Sequence, residues 1–126
     1  MVPELAESFG GPTVRAASRE HVESDKMNSP MARPARLSDD EVTAALASLP
    51  DWERDGDEIV KTYACPSFAD AIAFVVRIGF LAEKADHHPD LDIRWRNVRV
   101  ALSTHDAGGL TQLDIDLATA IDGVSD

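Results

Sequence analysis

The sequence predicts an α+β domain, with a four-stranded antiparallel sheet and three helices on one face of it. Two pairs of alternating apolar and polar segments each surround a short turn, which predicts two β-hairpins. Segments of helical periodicity stand before, between and after these hairpins. Because paired hairpins give antiparallel strands, the order α-β-β-α-β-β-α favours one sheet covered by helices over a parallel architecture.

The first helix begins at a capping signature. Ser38 is followed three residues later by Glu41, the spacing of a capping box, and the apolar periodicity continues until Pro50. Proline disfavours helical geometry in the residue before it, so we expect the helix to end there. The first hairpin follows, with its strands and turn at Trp52–Arg54, Glu58–Tyr63 and Asp55-Gly56.

The second helix is apolar around most of its circumference. It is expected to begin at Ser67, with Asp70 three residues on. Two adjacent apolar stripes follow, one through Phe68 and Ile72 and the other through Ala71, Phe74 and Ile78. This pattern predicts a central helix that is buried on most sides.

The second hairpin predicts a specific register. Leu91, Ile93 and Trp95 alternate with polar residues, as do Val98, Val100 and Leu102, and only Arg96-Asn97 separates the two runs. A two-residue turn at Arg96-Asn97 would set Trp95 opposite Val98, with both side chains on the buried face. Continued backwards, the same ladder would place His88 opposite His105 on the polar face.

The two ends of the chain differ in character. Thr111 and Asp114 form a further capping-box pattern that opens the last helix. Residues 1–36 show no sustained periodicity and predict a disordered leader, so we expect the folded domain to span residues 37–126. Met31 offers an alternative translation start.

Composition excludes several classes of protein. The chain has 126 residues, 44% of them hydrophobic, and a net charge of −11. That acidity disfavours nucleic-acid binding, and no apolar run is long enough to span a bilayer. The first residues do not resemble a secretory signal, and the single cysteine, Cys65, fits the reducing cytoplasm. A domain this small would also gain from association with copies of itself.

Four histidines are present, and two of them, His87 and His88, are adjacent in the segment E-K-A-D-H-H-P-D. Metal binding is disfavoured because no H-x-x-x-H or C-x-x-C spacing accompanies them, and the sequence predicts no metal or other cofactor. Histidines that converge on the polar face favour acid–base catalysis, since an imidazole can give or take a proton near neutral pH. Surface histidines without a chemical role are the alternative interpretation, and His21 is assigned no role.

The segment E-K-A-D-H-H-P-D, followed by S-T-H-D-A-G-G-L-T-Q-L-D, resembles the pterin-4a-carbinolamine dehydratase family. The resemblance extends from about Leu37 to the C-terminus. It implies the same four-stranded sheet with three helices, assembled as a homodimer or homotetramer. It also implies dehydration of 4a-hydroxytetrahydropterin to quinonoid dihydropterin in tetrahydropterin recycling. The implied catalytic residues are His87, His88 and His105, and the implied substrate-binding residues are Pro89, Thr104, Asp106, Ala107 and Asp114.

In this interpretation one histidine protonates the departing 4a-hydroxyl group while another removes the proton from N5. We expect His88 to be the main acid or base with His105 opposite it, and His87 to orient the pterin. Asp114 would hold a histidine or serve only the capping box. Two other functions stay open: a non-catalytic dimerisation module on the same fold, and an enzyme for a different pterin-like substrate.

Overall fold

A computed structural model describes residues 34–125, and most of the predicted leader, with the Met31 start, lies outside this range. None of the helices in residues 34–125 is long and apolar enough to cross a membrane. The chain forms, in order, helix α1 (Asp39–Leu46), strands β1 (Glu53–Asp55) and β2 (Glu58–Ala64), helix α2 (Phe68–Ala85), strands β3 (Asp90–Arg94) and β4 (Asn97–Leu102), a 3₁₀ turn (His105–Ala107) and helix α3 (Gln112–Gly123).

The four strands form one antiparallel sheet in the order β1-β2-β4-β3, which confirms the predicted fold class. One face of the sheet carries the core residues of its two central strands, β2 and β4. The helices pack on this face, and the shared core comprises mainly Val42, Ile59, Tyr63, Phe74, Ile78, Val98, Val100, Leu102, Leu117 and Ile121. On the opposite face Thr62 and Arg99, which pair across β2 and β4, are both exposed.

The helix starts follow the capping signatures in the sequence. Both predicted capping boxes form, with the Ser38 and Thr111 hydroxyls accepting from backbone N–H groups of the first turn and Glu41 and Asp114 reaching back. Helix α1 is shorter than predicted, since it ends at Leu46 rather than continuing to Pro50. After Leu46 the backbone forms tighter i→i−3 hydrogen bonds, such as that from Leu49 N–H to Leu46 O. Pro50 contributes to this, because a proline disfavours helical geometry in the residue before it, here Leu49.

Helix α2 is not buried on most sides, so that prediction is wrong for one of its stripes. Ala71, Phe74 and Ile78 are buried as expected. A second row, which we call the apolar stripe, is exposed to solvent: Phe68 (53% exposed), Ile72 (39%), Val76 (52%) and Phe80 (73%). These residues recur every four positions and share one side of the helix, while the sheet and helix α3 cover only the other side.

The predicted β3–β4 register is wrong by two residues. The loop is Trp95-Arg96, and Ile93 pairs with Val98. A shift of two residues keeps the same side chains on the core-facing side of the sheet, although Ile93 on the edge strand is 36% exposed. The shift moves Trp95 into the turn, where it is 70% exposed with φ of 56°. Asp90 pairs with Ala101, so the same ladder continued two residues further would set His88 opposite Ser103 rather than His105.

A cluster around Asp122 joins the end of α3 to the sheet. Its Oδ1 atom accepts hydrogen bonds from Lys61 Nζ (2.8 Å), Trp52 Nε1 (3.2 Å) and the Tyr63 hydroxyl. Burial of the carboxyl group would raise the pKa of Asp122, but hydrogen bonds from Lys61, Tyr63 and Trp52 outweigh it and lower that pKa below its ordinary value of 3.8. The pKa of Tyr63 is raised, first by burial and then by its hydrogen bond to Asp122.

The Asp122 cluster predicts a pH-dependent stability difference. A carboxyl group whose pKa is lower in the folded state stabilises the fold above its unfolded pKa, and this stabilisation is lost as the pH falls through the folded pKa. We expect Asp122→Asn to reduce the free energy of unfolding by about 1–2 kcal/mol near pH 7, and by less as the pH is lowered below about 4. Urea unfolding curves of the wild type and of Asp122→Asn between pH 7 and pH 3 measure this difference in the free energy of unfolding. Asp116→Asn, an exposed change on the same helix, is the control, and a difference that is constant with pH would contradict the prediction.

Candidate active site

A left-handed turn at the end of α2 directs His87 into the protein. Asp86 terminates the helix with φ of 52° and ψ of 42°. The backbone N–H of His87 then bonds the Ala82 carbonyl (3.1 Å), the long bond of a Schellman motif. Few non-glycine residues adopt this conformation, and aspartate is among the more tolerant ones. The turn therefore separates the two adjacent histidines, leaving His87 buried and His88 exposed.

His87 is held by a buried carboxylate. Its Nε2 atom lies 2.6 Å from Asp114 Oδ1, and His87 and Asp114 are 7% and 0% exposed respectively. Asp114 also completes the capping box of α3, because its other oxygen, Oδ2, accepts the Thr111 N–H (3.0 Å). The two roles that the sequence left open for Asp114 are thus both present, one on each oxygen.

Thr104 connects the loop that carries His105 to the same carboxylate. Its hydroxyl group donates to Asp114 Oδ2 (2.8 Å). Its backbone N–H donates to the Gly109 carbonyl, and its own carbonyl accepts from the Gly109 N–H. Asp114 therefore binds both His87, which precedes β3, and Thr104, which follows β4. These contacts bring the His87-His88 segment and the Thr104-His105 segment together at the start of α3.

The other two histidines within residues 34–125 are exposed. His88 Nε2 lies 2.7 Å from Glu83 Oε2, in a pair whose side chains are 58% and 77% exposed. His105 begins the 3₁₀ turn that also contains Asp106 and Ala107. Both side chains are exposed, and each directly follows a residue that bonds Asp114, His87 or Thr104.

The predicted site residues thus fall on two loops and the start of α3. Pro89 is half-buried directly after His88, and Ala107 is half-buried in the 3₁₀ turn. Glu83 and Thr111 also contact the predicted residues, although neither was predicted to belong to the site. Glu83 lies within the E-K-A-D-H-H-P-D segment, but its contact with His88 depends on the left-handed turn at Asp86.

Within residues 34–125, no cluster of three or more His, Cys, Asp or Glu side chains has an arrangement suited to a metal ion. A cavity of about 420 Å³ lies instead near the start of α2, where Tyr63, half-buried Cys65 and Arg77 contribute to its lining. No histidine lines that cavity. The chemistry that the histidine cluster itself offers is proton transfer, with a carboxylate able to stabilise a protonated imidazole.

Comparisons with known proteins agree on one family. Residues 35–124 match the family model described as pterin 4 alpha carbinolamine dehydratase. A relative from Roseiflexus sp. (strain RS-1), provisionally named as a pterin-4-alpha-carbinolamine dehydratase, is 62% identical over 89 residues, which are 71% of this chain and 96% of the relative. A relative of the same provisional name from Nocardia farcinica (strain IFM 10152) is 59% identical over 68% of this chain and 90% of its own length.

A solved structure has the same fold. The crystal structure of a transcriptional coactivator/pterin dehydratase from Brucella melitensis superposes with a TM-score of 0.70 and 31% identity. The match covers 72% of this chain and 99% of the Brucella chain. The similarity therefore includes essentially the whole domain.

Proposed function

Because the chain belongs to the pterin-4a-carbinolamine dehydratase family, we propose that it dehydrates 4a-hydroxytetrahydropterin to quinonoid dihydropterin and so serves tetrahydropterin recycling. One observation carries this proposal beyond family membership: the buried bond between His87 Nε2 and Asp114 Oδ1. A carboxylate that holds an imidazole in one orientation is an arrangement suited to general acid–base catalysis. His87, His88 and His105 are the three catalytic groups in this proposal.

The reaction needs one base and one acid. The base takes the proton from N5, and the electron pair of that N–H bond forms the C4a=N5 double bond. The C4a–O bond breaks, and its oxygen leaves as water after receiving a proton from the acid. Proton transfer by positioned side chains contributes roughly 10²–10⁴-fold to such a step.

The structure changes our assignment of these roles. The expected His88–His105 pair rested on a register that the sheet does not have. We assign the base to His87, because Asp114 can stabilise the imidazolium that forms when His87 takes the N5 proton. The exposed His88 and His105 then supply the proton for the hydroxyl group. Pro89, Asp106 and Ala107 border the pterin in this proposal, and Thr104 and Asp114, which are 2% and 0% exposed, support the site from within the protein.

The direct test adds purified protein to freshly generated 4a-hydroxytetrahydropterin and follows dehydration by absorbance. We expect acceleration over the spontaneous rate, unchanged by a chelator. No acceleration at micromolar protein would contradict the proposed activity. Loss of activity with a chelator and its recovery with zinc would contradict a metal-free mechanism. We place the reaction in the cytoplasm, a location supported by the single cysteine.

We further propose that the chain forms homo-oligomers through the apolar stripe of α2. Four large side chains on one side of a helix are 39–73% exposed, although apolar residues of this size are usually buried in soluble domains. Antiparallel packing of two such helices would set Phe68 of one copy near Phe80 of the other, since each end of the stripe carries a phenylalanine. The small size of the domain makes the additional burial favourable.

Phe80→Lys is expected to weaken this association by at least about tenfold, because the most exposed residue of the stripe would become a charge in the interface. Light scattering coupled to size exclusion, over a dilution series, measures the oligomeric mass. Trp95→Lys is the matched control, since Trp95 is a comparably exposed aromatic (70%) outside the stripe. An unchanged mass for Phe80→Lys, or a monomeric wild type, would contradict the assignment.

A binding function is the second candidate, and the apolar stripe is the observation that favours it. The Brucella structure is described as that of a transcriptional coactivator/pterin dehydratase, so both functions are associated with this fold. If the chain is only an interaction module, partner binding should need the apolar stripe, and replacing the histidines should not affect that binding. The dehydration assay decides between the two functions, since a module without activity gives no acceleration.

A further inference from the structure

Two buried threonine hydroxyl groups lie behind the carboxylate that holds His87. Thr104 and Thr111 are 2% and 0% exposed, and their Oγ1 atoms are 2.8 Å apart. Thr104 Oγ1 is also 2.8 Å from Asp114 Oδ2. The capping box of α3 requires only Thr111 and Asp114, so it leaves the contact of Thr104 with Asp114 unexplained.

The hydrogen atoms in this chain of contacts can be assigned. A threonine hydroxyl group has one hydrogen, and that of Thr104 is used in the bond to Asp114. Thr111 must then be the donor in the Thr104–Thr111 contact, while Thr111 Oγ1 accepts the Leu113 N–H (3.2 Å). The donors therefore run in one direction, from the first turn of α3 through Thr111 and Thr104 to the carboxylate.

The carboxylate at the end of this chain of donors determines which histidine nitrogen carries a hydrogen. Asp114 Oδ2 already accepts from Thr104 and from the Thr111 N–H, which favours the ionised carboxylate. An ionised carboxylate can only accept, so His87 must donate from Nε2 to Oδ1. In the neutral ring the lone pair is then on Nδ1.

We propose that Thr104, supported by Thr111, is a positioning residue that holds neutral His87 as the Nε2–H tautomer and makes Nδ1 its proton-accepting atom. The catalytic consequence rests on the proposed dehydratase function, but the tautomer does not. A purely structural role for Thr104 would stabilise the loop without affecting the state of the imidazole ring.

The test on the wild-type protein is a long-range ¹H–¹⁵N spectrum of the histidine rings, at a pH where His87 is neutral. His87→Gln assigns the signals. We expect the Nε2–H tautomer for His87. The Nδ1–H tautomer, or an even mixture, would overturn the proposal whatever the activity of the protein.

The test by substitution uses Thr104→Val, which keeps the shape of the side chain and removes the hydroxyl group. We expect a mixed tautomer signal for His87, because without the Thr104 donor Asp114 is no longer fixed with Oδ1 towards Nε2. We also expect a fall in kcat of about tenfold with KM nearly unchanged. Thr104→Ser restores the donor and should restore both readouts. Thr119→Val is the matched control, since it makes the same change at a threonine of α3 whose hydroxyl group bonds only a backbone carbonyl among the contacts described.

The outcomes separate this proposal from the proposed function. If Thr104→Val leaves the tautomer and kcat unchanged, the positioning role is wrong. If the wild type has the expected tautomer and Thr104→Val changes it, but no dehydration is found, the positioning role stands and the proposed reaction falls. Should Thr104→Val fail to fold, the wild-type spectrum still tests the proposal, because the Nδ1–H tautomer or an even mixture would overturn it.

Discussion

Replacing His87 with glutamine is expected to lower kcat for dehydration by about 10²–10³-fold while the protein stays folded. The amide nitrogen of glutamine lies near the position of the imidazole Nε2, so the variant can still donate to Asp114. It cannot accept or release a proton near neutral pH. The fall in kcat would therefore report the loss of proton transfer rather than the loss of a buried contact. Stopped-flow absorbance gives the rate, and circular dichroism verifies the fold.

Two comparisons make the His87 result specific. His88→Gln should lower kcat less, by about tenfold. His88 is exposed beside an exposed Glu83, so water can partly replace it in proton transfer. His21→Gln, outside the described residues, controls for the change of residue type and should leave the rate unchanged. A larger loss for His88→Gln than for His87→Gln would reverse our assignment and restore His88 as the main proton-transfer group.

Asp114→Ala is expected to cause the largest loss of stability among these variants. The carboxylate is 0% exposed and accepts from His87, Thr104 and the Thr111 backbone. Its removal leaves three donors without an acceptor where water has little access, and each such group costs about 1–3 kcal/mol. We expect the free energy of unfolding to fall by about 3–5 kcal/mol, above the range of most single substitutions.

Thermal and urea unfolding of Asp114→Ala measure this loss. For a domain of this size the expected change in Tm is roughly 12 °C or more. Asp116→Ala is the matched control, since Asp116 is an exposed acid on the same helix and bonds only Gln112 among the contacts described. It should change the free energy of unfolding by less than about 0.5 kcal/mol. A loss below 1 kcal/mol for Asp114→Ala would mean that the buried donors find other acceptors.

The features that the sequence predicted well depend on short spacings. The capping boxes at Ser38 and Thr111 each need only two residues three positions apart, so their geometry is contained in the local chain. The α+β order followed from the same kind of local periodicity. Family membership likewise rested on a short motif, and the match over residues 35–124 confirms it.

The register error has a physical reason. Alternation of apolar and polar residues has a period of two, so it cannot distinguish registers that differ by two residues. Turn chemistry normally resolves the choice, but the observed turn begins with Trp95 at a positive φ, where glycine is expected. A bulky aromatic residue at this position carries no turn signal. The predicted convergence of His88 and His105 was lost with the register.

Two further features were beyond the sequence for different reasons. Apolar periodicity in α2 shows that a face of the helix avoids water, but it does not show whether the core of the same chain or another molecule covers that face. The residues of the apolar stripe were therefore expected to be buried, although they are exposed. The buried position of His87 depends on the left-handed turn at Asp86, and few sequence signals distinguish such an aspartate from an ordinary helical one. The sequence could select the histidines but not which of the two is inside.

The sharing of Asp114 between a capping box and a histidine has a consequence for local dynamics. First turns of helices are often the parts of a fold that open most readily in hydrogen exchange. Here that opening would release His87 and Thr104 in the same event. The cluster cannot persist while the helix frays, so the local opening equilibrium of this one turn sets an upper limit on the fraction of molecules in which the proposed site is assembled.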